Sequence, residues 1–191
     1  TGWLERLMYP VIFEKKVATS TPYTNSGTIF SFPNMGENNK IYRDLDVETI
    51  DSAFRLMKPK YVNAPTGVGF CMGMNKEAIK EIGFLDYEAY DRGYAEENDW
   101  CQKALKKGWR NVHVENLFVY HKHGGSFLSD EKKQLIENHL QVLKSRFPDY
   151  DGQVNTYMTA DANREIREIM QMYIDTHNTN SILFLDHNLG G

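Results

Sequence analysis

"GYAEENDWCQKALKKGWRNVHVENLFVYHKH", residues 93–123, encodes a helix and then extended chain. Trp100, Cys101, Ala104 and Leu105 recur at helical spacing on one face, and Gly108 supplies a stop. The segment from Asn111 then reads as one or two strands. If the chain stays extended, Leu117, Val119, His121 and His123 share parity and one face. At the start of the helix, Glu96, Glu97 and Asp99 crowd into four positions. A helix N-terminus carries partial positive charge and accepts acidic residues without any function. The same dipole keeps a carboxylate ionised, as a general base must be. Gly93 permits a sharp turn that presents these side chains, and Trp100 offers a planar ring to a ligand.

Working outward toward the N-terminus, "NAPTGVGFCMGMN", residues 63–75, is an apolar glycine-rich run that reads as a buried strand. Gly67, Gly69 and Gly73 leave room for something to approach the backbone closely. "KEAIKEIGF" is a short helix ending at Gly83. "DLDVETIDSAFRLM" is a helix opening at Asp46, with Val47, Ile50, Phe54 and Met57 on one face. Residues 23–46 are rich in Asn, Gly, Ser and Pro and read as loop. "VATSTP" is a short strand. Residues 3–14 form a helix that Thr1 could cap and that Pro10 interrupts.

Toward the C-terminus the character changes at Ser129. "SDEKKQLIENHLQVLKSRFP" is a long helix capped by Ser129 and stopped at Pro148. A second helix spans about residues 161–176. "HNTNS" is a polar linker, and "ILFLDHNLGG" is an apolar strand running into glycines, the way a nucleotide-binding α/β unit begins.

The chain has 191 residues, 41% hydrophobic and 25% charged, enough for one domain with a real core. A net charge of -4 excludes a broad basic surface of the kind nucleic acid requires. No apolar run approaches the roughly 20 residues of a membrane span. "TGWLERLMYP" carries Glu5 and Arg6 where a signal peptide would be apolar. Cys71 and Cys101 form no CxxC, suggest no disulfide framework and read as two buried thiols in a reducing compartment. His121 and His123, at i and i+2 of a strand, could hold one metal, but no CxxC or HExxH accompanies them to make a closed zinc site. Asp44 and Asp46 spell DxD, as do Asp149 and Asp151. Neither pair follows an apolar strand, so both read as a cap or a turn.

In order, "GWLERL", "TSTPYTN", "GVGFCMGMNKEAIKEIGFLD", "GYAEENDWCQKALKKGW" and "VYHKHGGSF" resemble the second half of a family 2 glycosyltransferase of the GT-A fold. The likeness runs from residue 2 to about residue 127. No single piece is specific; the ordered set is. It implies an α/β fold: a partial GT-A unit, with a Rossmann-like mixed sheet flanked by helices, over residues 1–128. A helical extension follows over 129–178. Residues 179–191 would be a linker and the first strand of a following domain, similar to the opening of a GT-B domain.

The resemblance also implies an activity, an inverting sugar transfer from a nucleotide-sugar donor to a glycan acceptor. Aligning "AEEND" on the family's acidic helix start puts Glu97 at the base position, with Glu96 the close alternative and Asp99 orienting or capping. The family histidine falls on His121, which would touch the metal or the diphosphate; His123 is the second choice. Trp100 would line the acceptor or donor-sugar pocket. Gly67, Val68 and Gly69 would let the acceptor sit close to the chain, and Asp86 matches a family aspartate. The implied cofactor is Mn²⁺ or Mg²⁺, since an oxygen-rich site with one His suits such an ion. In the family, that ion is bound mainly by a DxD in a nucleotide-binding half that precedes "GWLERL". The expectation is therefore a fragment, inactive alone, of a multidomain enzyme of bacterial surface polysaccharide synthesis. It would be cytoplasmic, with peripheral association at the inner face of the membrane.

Three departures stand out. Ala95 occupies a position where the family often has Gly. Lys103 replaces a common Arg, which removes a bidentate fork. "FLD" changes the spacing at Asp86. Two alternatives remain: a carbohydrate-binding or scaffolding module that kept the fold and lost the chemistry, and a metal hydrolase using the His pair.

Overall fold

The computed structural model describes residues 2–91, 93–122 and 130–178. Four strands form one mixed sheet: β1 (Val17–Tyr23), β2 (Tyr61–Ala64), β3 (Gly73–Met74) and β4 (Arg110–Phe118). Their order is β2-β4-β1-β3. The central pair, β1 and β4, is parallel, and both outer strands run antiparallel to their neighbours. Eight α-helices pack around the sheet among the described residues: α1 (Trp3–Phe13), α2 (Val47–Arg55), α3 (Lys76–Ile82), α4 (Tyr87–Tyr90), α5 (Glu96–Lys106), α6 (Asp130–Arg146), α7 (Tyr150–Ala160) and α8 (Arg164–Asn178). The protein is thus mixed α/β, as expected.

Every residue of β1 is buried, which is why its sequence shows no alternation of apolar and polar residues. On one face Leu7 and Val11 of α1 pack on Val17, Val112, Val114 and Leu117. On the other, Trp100, Cys101 and Ala104 of α5 and Ala78 of α3 pack on Ala18. Beyond the ends of the central strands, Ile50 and Phe54 of α2 meet Met170 and Ile174 of α8 around Tyr23 and Phe118. The buried Thr and Ser hydroxyls of β1 are bonded, while the Tyr23 hydroxyl has no hydrogen-bond partner among the described residues. Thr19 donates to Asn111 Oδ1 (2.9 Å), Ser20 donates to the Leu7 carbonyl (2.6 Å), and Thr21 accepts from the Val68 N–H (3.3 Å).

Several expectations change. Residues 63–75 are not one strand. They split into β2, a loop over 65–72 and the two-residue β3, because Gly67 and Gly73 bring the chain too close to its neighbours for any side chain. A Cβ at Gly67 would lie 2.5 Å from Met72 Sδ, and one at Gly73 2.5 Å from Ser20 Oγ. Pro10 does not interrupt α1; it is buried within the helix, whose inner face is held by the sheet. β4 ends at Phe118, so the shared parity of Leu117, Val119 and His121 does not carry through as a strand face. α7 was not foreseen: Gly152, Asn155 and two Thr lower its helix propensity, yet Tyr150, Val154, Tyr157 and Met158 recur at helical spacing and pack inward. α8 begins at Arg164 rather than Asp161. Asp46 caps α2 as read, accepting from the Thr49 N–H at 2.8 Å. Asp151 lies within α7 and pairs with Lys144 (2.8 Å). Thr1, Ser129 and the strand expected in 179–191 lie outside the described residues.

Candidate functional site

Three consecutive residues before α5 have left-handed backbones: Gly93 (φ 88°), Tyr94 (φ 70°) and Ala95 (φ 80°). Only the first is a glycine, so Tyr94 and Ala95 hold a conformation that L-residues disfavour. The surrounding structure holds the turn in place. His139 of α6 bonds through Nδ1 to the Gly93 carbonyl (2.7 Å). Ala95 is buried among Tyr90, Leu143 and Phe147. A glycine at position 95 would adopt this φ at no steric cost.

The turn throws Glu96 and Glu97 onto the first helical positions. The Glu96 carboxylate folds back over Gly93, where a Cβ would meet its Oε1 at 3.4 Å. The Glu97 carboxylate lies over Gly69, where a Cβ would meet Oε1 at 3.6 Å. The Gly69 backbone and Glu96 adjoin Glu97, yet Glu97 Oε2 and Glu96 Oε2 are each buried without a hydrogen-bond partner among the described residues. Burial raises the Glu97 pKa above the ordinary glutamate range, and the neighbouring Glu96 charge raises it further. The helix dipole was expected to keep this group acidic; desolvation and like charge outweigh it.

The loop that carries Gly69 is stapled to α5. Asn98 Nδ2 donates to Thr66 Oγ1 (2.8 Å), the Gly67 N–H donates to Cys101 Sγ (3.1 Å), and Gln102 Nε2 donates to the Pro65 carbonyl (2.9 Å). Val68 packs beside Ile29, Phe30 and Ala64. Tyr150 of α7 hydrogen-bonds Thr66 and lies near Glu97; burial first, then the Glu97 charge, raises its phenol pKa. Burial also pushes the Cys101 thiol up to about 11, which makes it inert as a nucleophile.

Asp99 has different surroundings. It is fully buried and receives Lys103 at 2.5 Å, Arg146 at 3.0 Å and the Tyr90 hydroxyl at 3.2 Å. Asp86 shares those cations, at 2.7 Å from Arg146 and 3.5 Å from Lys103, and caps α4 through the Ala89 N–H. The Arg146 guanidinium holds the Asp86 carboxyl below the usual range. Asp99 and Asp86 therefore tie α4, α5 and α6 together, and neither is placed as a reacting group. Lys103 completes that ion cluster. Trp100 is 1% exposed, its Nε1 donating to the Gly83 carbonyl at 2.8 Å. It is a core residue and not a platform for a ligand, because the face of α5 that carries it packs on the sheet.

His121 follows the end of β4. Its backbone N–H donates to Asn25 Oδ1 (2.9 Å) and its carbonyl accepts from Asn25 Nδ2 (3.1 Å). Its Nδ1 donates to the Ser26 carbonyl (2.6 Å). The ring stacks on Phe70, centroids 5.3 Å apart and planes 20° from parallel. Glu97 and His121 thus meet the same loop at adjacent residues, Gly69 and Phe70. His123 lies outside the described residues.

Among the described residues, no three His, Cys, Asp or Glu side chains converge on a point that could hold a metal ion. The His121 ring is oriented by a backbone carbonyl on Nδ1, an orientation that metal-bound histidines share. Thr66, Asn98, Gln102, His139 and Tyr150 were not foreseen as site residues. His139, Leu143 and Arg146 recur on one face of α6, which is the signal that could have pointed to that helix. No helix among the described residues is long and apolar enough to cross a membrane. Compared with known proteins, the chain matches no protein-family model, and no curated protein matches it.

Proposed function

We propose that this chain forms the acceptor-side part of an inverting, metal-dependent glycosyltransferase of the GT-A type, with Glu97 as the catalytic base. The observation that carries the reading is the Glu96–Glu97 pair, two carboxylates side by side on a strained turn, each with a buried oxygen that has no hydrogen-bond partner among the described residues and neither with a cation contact among them. A structural carboxylate finds a cation or donors, as Asp99 does. A carboxylate made more basic and left with an open oxygen is suited to accept a proton.

The acceptor would lie along the loop at Gly67–Gly69, where the absence of a side chain at Gly69 leaves the Glu97 carboxylate bare toward the loop. As the acceptor hydroxyl attacks the anomeric carbon of the donor sugar, its proton passes to Glu97. The new C–O bond forms as the bond to the nucleoside diphosphate breaks, and that diphosphate carries the electron pair away. The proton transfer contributes about 10²–10⁴-fold. Mn²⁺ or Mg²⁺ would supply the charge compensation that lets the diphosphate leave, and His121 is the residue of this chain placed to touch it. Glu96 keeps Glu97 basic, and the Asp99–Arg146 cluster and His139 hold the turn that presents it. A place on the cytoplasmic side, peripheral to the membrane, and a role in polysaccharide assembly belong to the same reading by analogy alone.

The test is transfer from nucleotide-sugar donors by the intact protein, wild type and Glu97→Gln, with and without Mn²⁺. Metal-dependent transfer in the wild type, lost in a folded variant, supports the reading. Near-normal transfer by the variant moves the base to Glu96. The second reading is a carbohydrate-binding module, which the lack of a complete cation cage among the described residues favours. It predicts glycan binding with no transfer under any metal.

A further inference from the structure

We infer that the groove between Trp3, Phe70 and Tyr120 is a subsite that seats one neutral sugar ring of the acceptor glycan. The groove has a volume of about 460 Å³ and lies where α1, α2, the loop before β3 and the chain after β4 meet. That size falls within the roughly 300–1,000 Å³ of small-molecule sites. Trp3 is 48% and Tyr120 43% exposed, so two large aromatic rings face solvent in one concavity instead of being scattered. The C–H faces of a sugar ring are apolar and lie against the negative face of an aromatic ring.

Glu48 and Asp51 line the same groove. Asp51 is buried and its charge is offset by Arg6, so the exposed Glu48 is the rim carboxylate that can accept from a sugar hydroxyl, and it disfavours a phosphate beside it. The walls are held firm. Asp51 takes both arms of the Arg6 guanidinium and also the Phe118 N–H (3.0 Å), which clamps α1, α2 and the end of β4. Phe70 joins the groove to the candidate site: its ring stacks on His121, and the Glu97 carboxylate lies over the preceding Gly69. A glycan whose reacting hydroxyl sits at Glu97 can extend past Phe70 into this groove. The place in the reaction rests on the transferase reading; the binding does not.

The test is ¹⁹F NMR of the intact protein labelled with 5-fluorotryptophan. The Trp3 resonance is assigned by its loss in Trp3→Phe, and its accessibility is read from broadening by a soluble nitroxide. Methyl α-glucoside, methyl β-galactoside, methyl α-rhamnoside and their disaccharides are titrated into the millimolar range, and UDP separately. The expected result is a broadened Trp3 resonance that shifts saturably with at least one glycoside, is unmoved by UDP, and loses the response in Tyr120→Ala. A Trp3 resonance protected without sugar means that protein covers the groove and overturns the inference, as does a resonance that no glycoside moves. If transfer is found, Trp3→Ala is expected to raise the acceptor KM about tenfold with kcat unchanged. Glycoside binding together with active Glu97→Gln would remove the base assignment and leave the subsite standing. Inactive Glu97→Gln with no glycoside response would do the reverse.

Discussion

Glu97 and Asp99 stand two positions apart in the first turn of one helix, and the fold treats them in opposite ways. Asp99 faces Lys103, Arg146 and Tyr90, a set that satisfies its charge. Glu97 faces the Gly69 backbone and a second carboxylate, and its Oε2 is buried without a hydrogen-bond partner among the described residues. One side of the turn is built for cohesion. The other carries an unfavourable arrangement of two adjacent carboxylates, the kind that clusters at functional sites. Residue type and position along the helix are nearly the same for both, so the difference comes entirely from what packs against each side.

The largest effect that would break this comparison is on turnover. Glu97→Gln is expected to lower transfer by about 10²-fold or more, while its thermal midpoint stays at or above wild type. Asp99→Ala should do the opposite, lowering stability by about 1.5–3 kcal/mol through lost charged hydrogen bonds, as read by urea unfolding. Equal stability losses in both variants would erase the distinction.

The next effect is a displacement in pH. Glu97 ionises at higher pH in the folded chain than in the unfolded one. The folded state therefore keeps the extra proton between those two values, and stability falls as pH rises across that window. The base is needed ionised, so kcat/KM should fall as pH drops through the same raised value. Glu96→Gln removes the neighbouring negative charge and should move that acid limb to lower pH. An unmoved limb would show that Glu96 does not act on Glu97.

His113 provides a control outside the carboxylate pair. It is fully buried, takes an Asn163 amide N–H on Nδ1 and stacks on Phe30; burial pushes its pKa from 6.5 down to about 3. Between those values the unfolded chain binds a proton that the folded chain refuses. Stability should fall on acidification by on the order of 1 kcal/mol per pH unit. The slope should flatten in His113→Phe, with transfer at neutral pH unaltered in mechanism. The smallest effect concerns the turn itself. His139→Phe removes the bond to Gly93 and should cost about 1 kcal/mol, with a reduced kcat as the Glu97 carboxylate loses its fixed position.

What the sequence by itself determined is the set of elements whose signals are local. Asp46 capping α2, Gly83 closing α3, Gly108 closing α5 and Pro148 ending α6 each act through their own backbone. The helical spacing of Trp100, Cys101 and Ala104 named the inner face of α5. The crowding of Glu96, Glu97 and Asp99 marked the candidate site. Tertiary structure decided everything that depends on a partner distant in the chain. It split residues 63–75, because the glycines there answer to Met72 and Ser20 and not to strand propensity. It carried α1 through Pro10 and ended β4 before His121. It put Trp100 in the core and gave Asp99 and Asp86 to Arg146. It raised the pKa of Glu97, a property set first by burial and then by the adjoining Glu96 charge. A carboxylate's role follows from its solvation and its neighbours' charges, and those are brought together only when α5, α6, α7 and the loop at 65–72 pack around the turn.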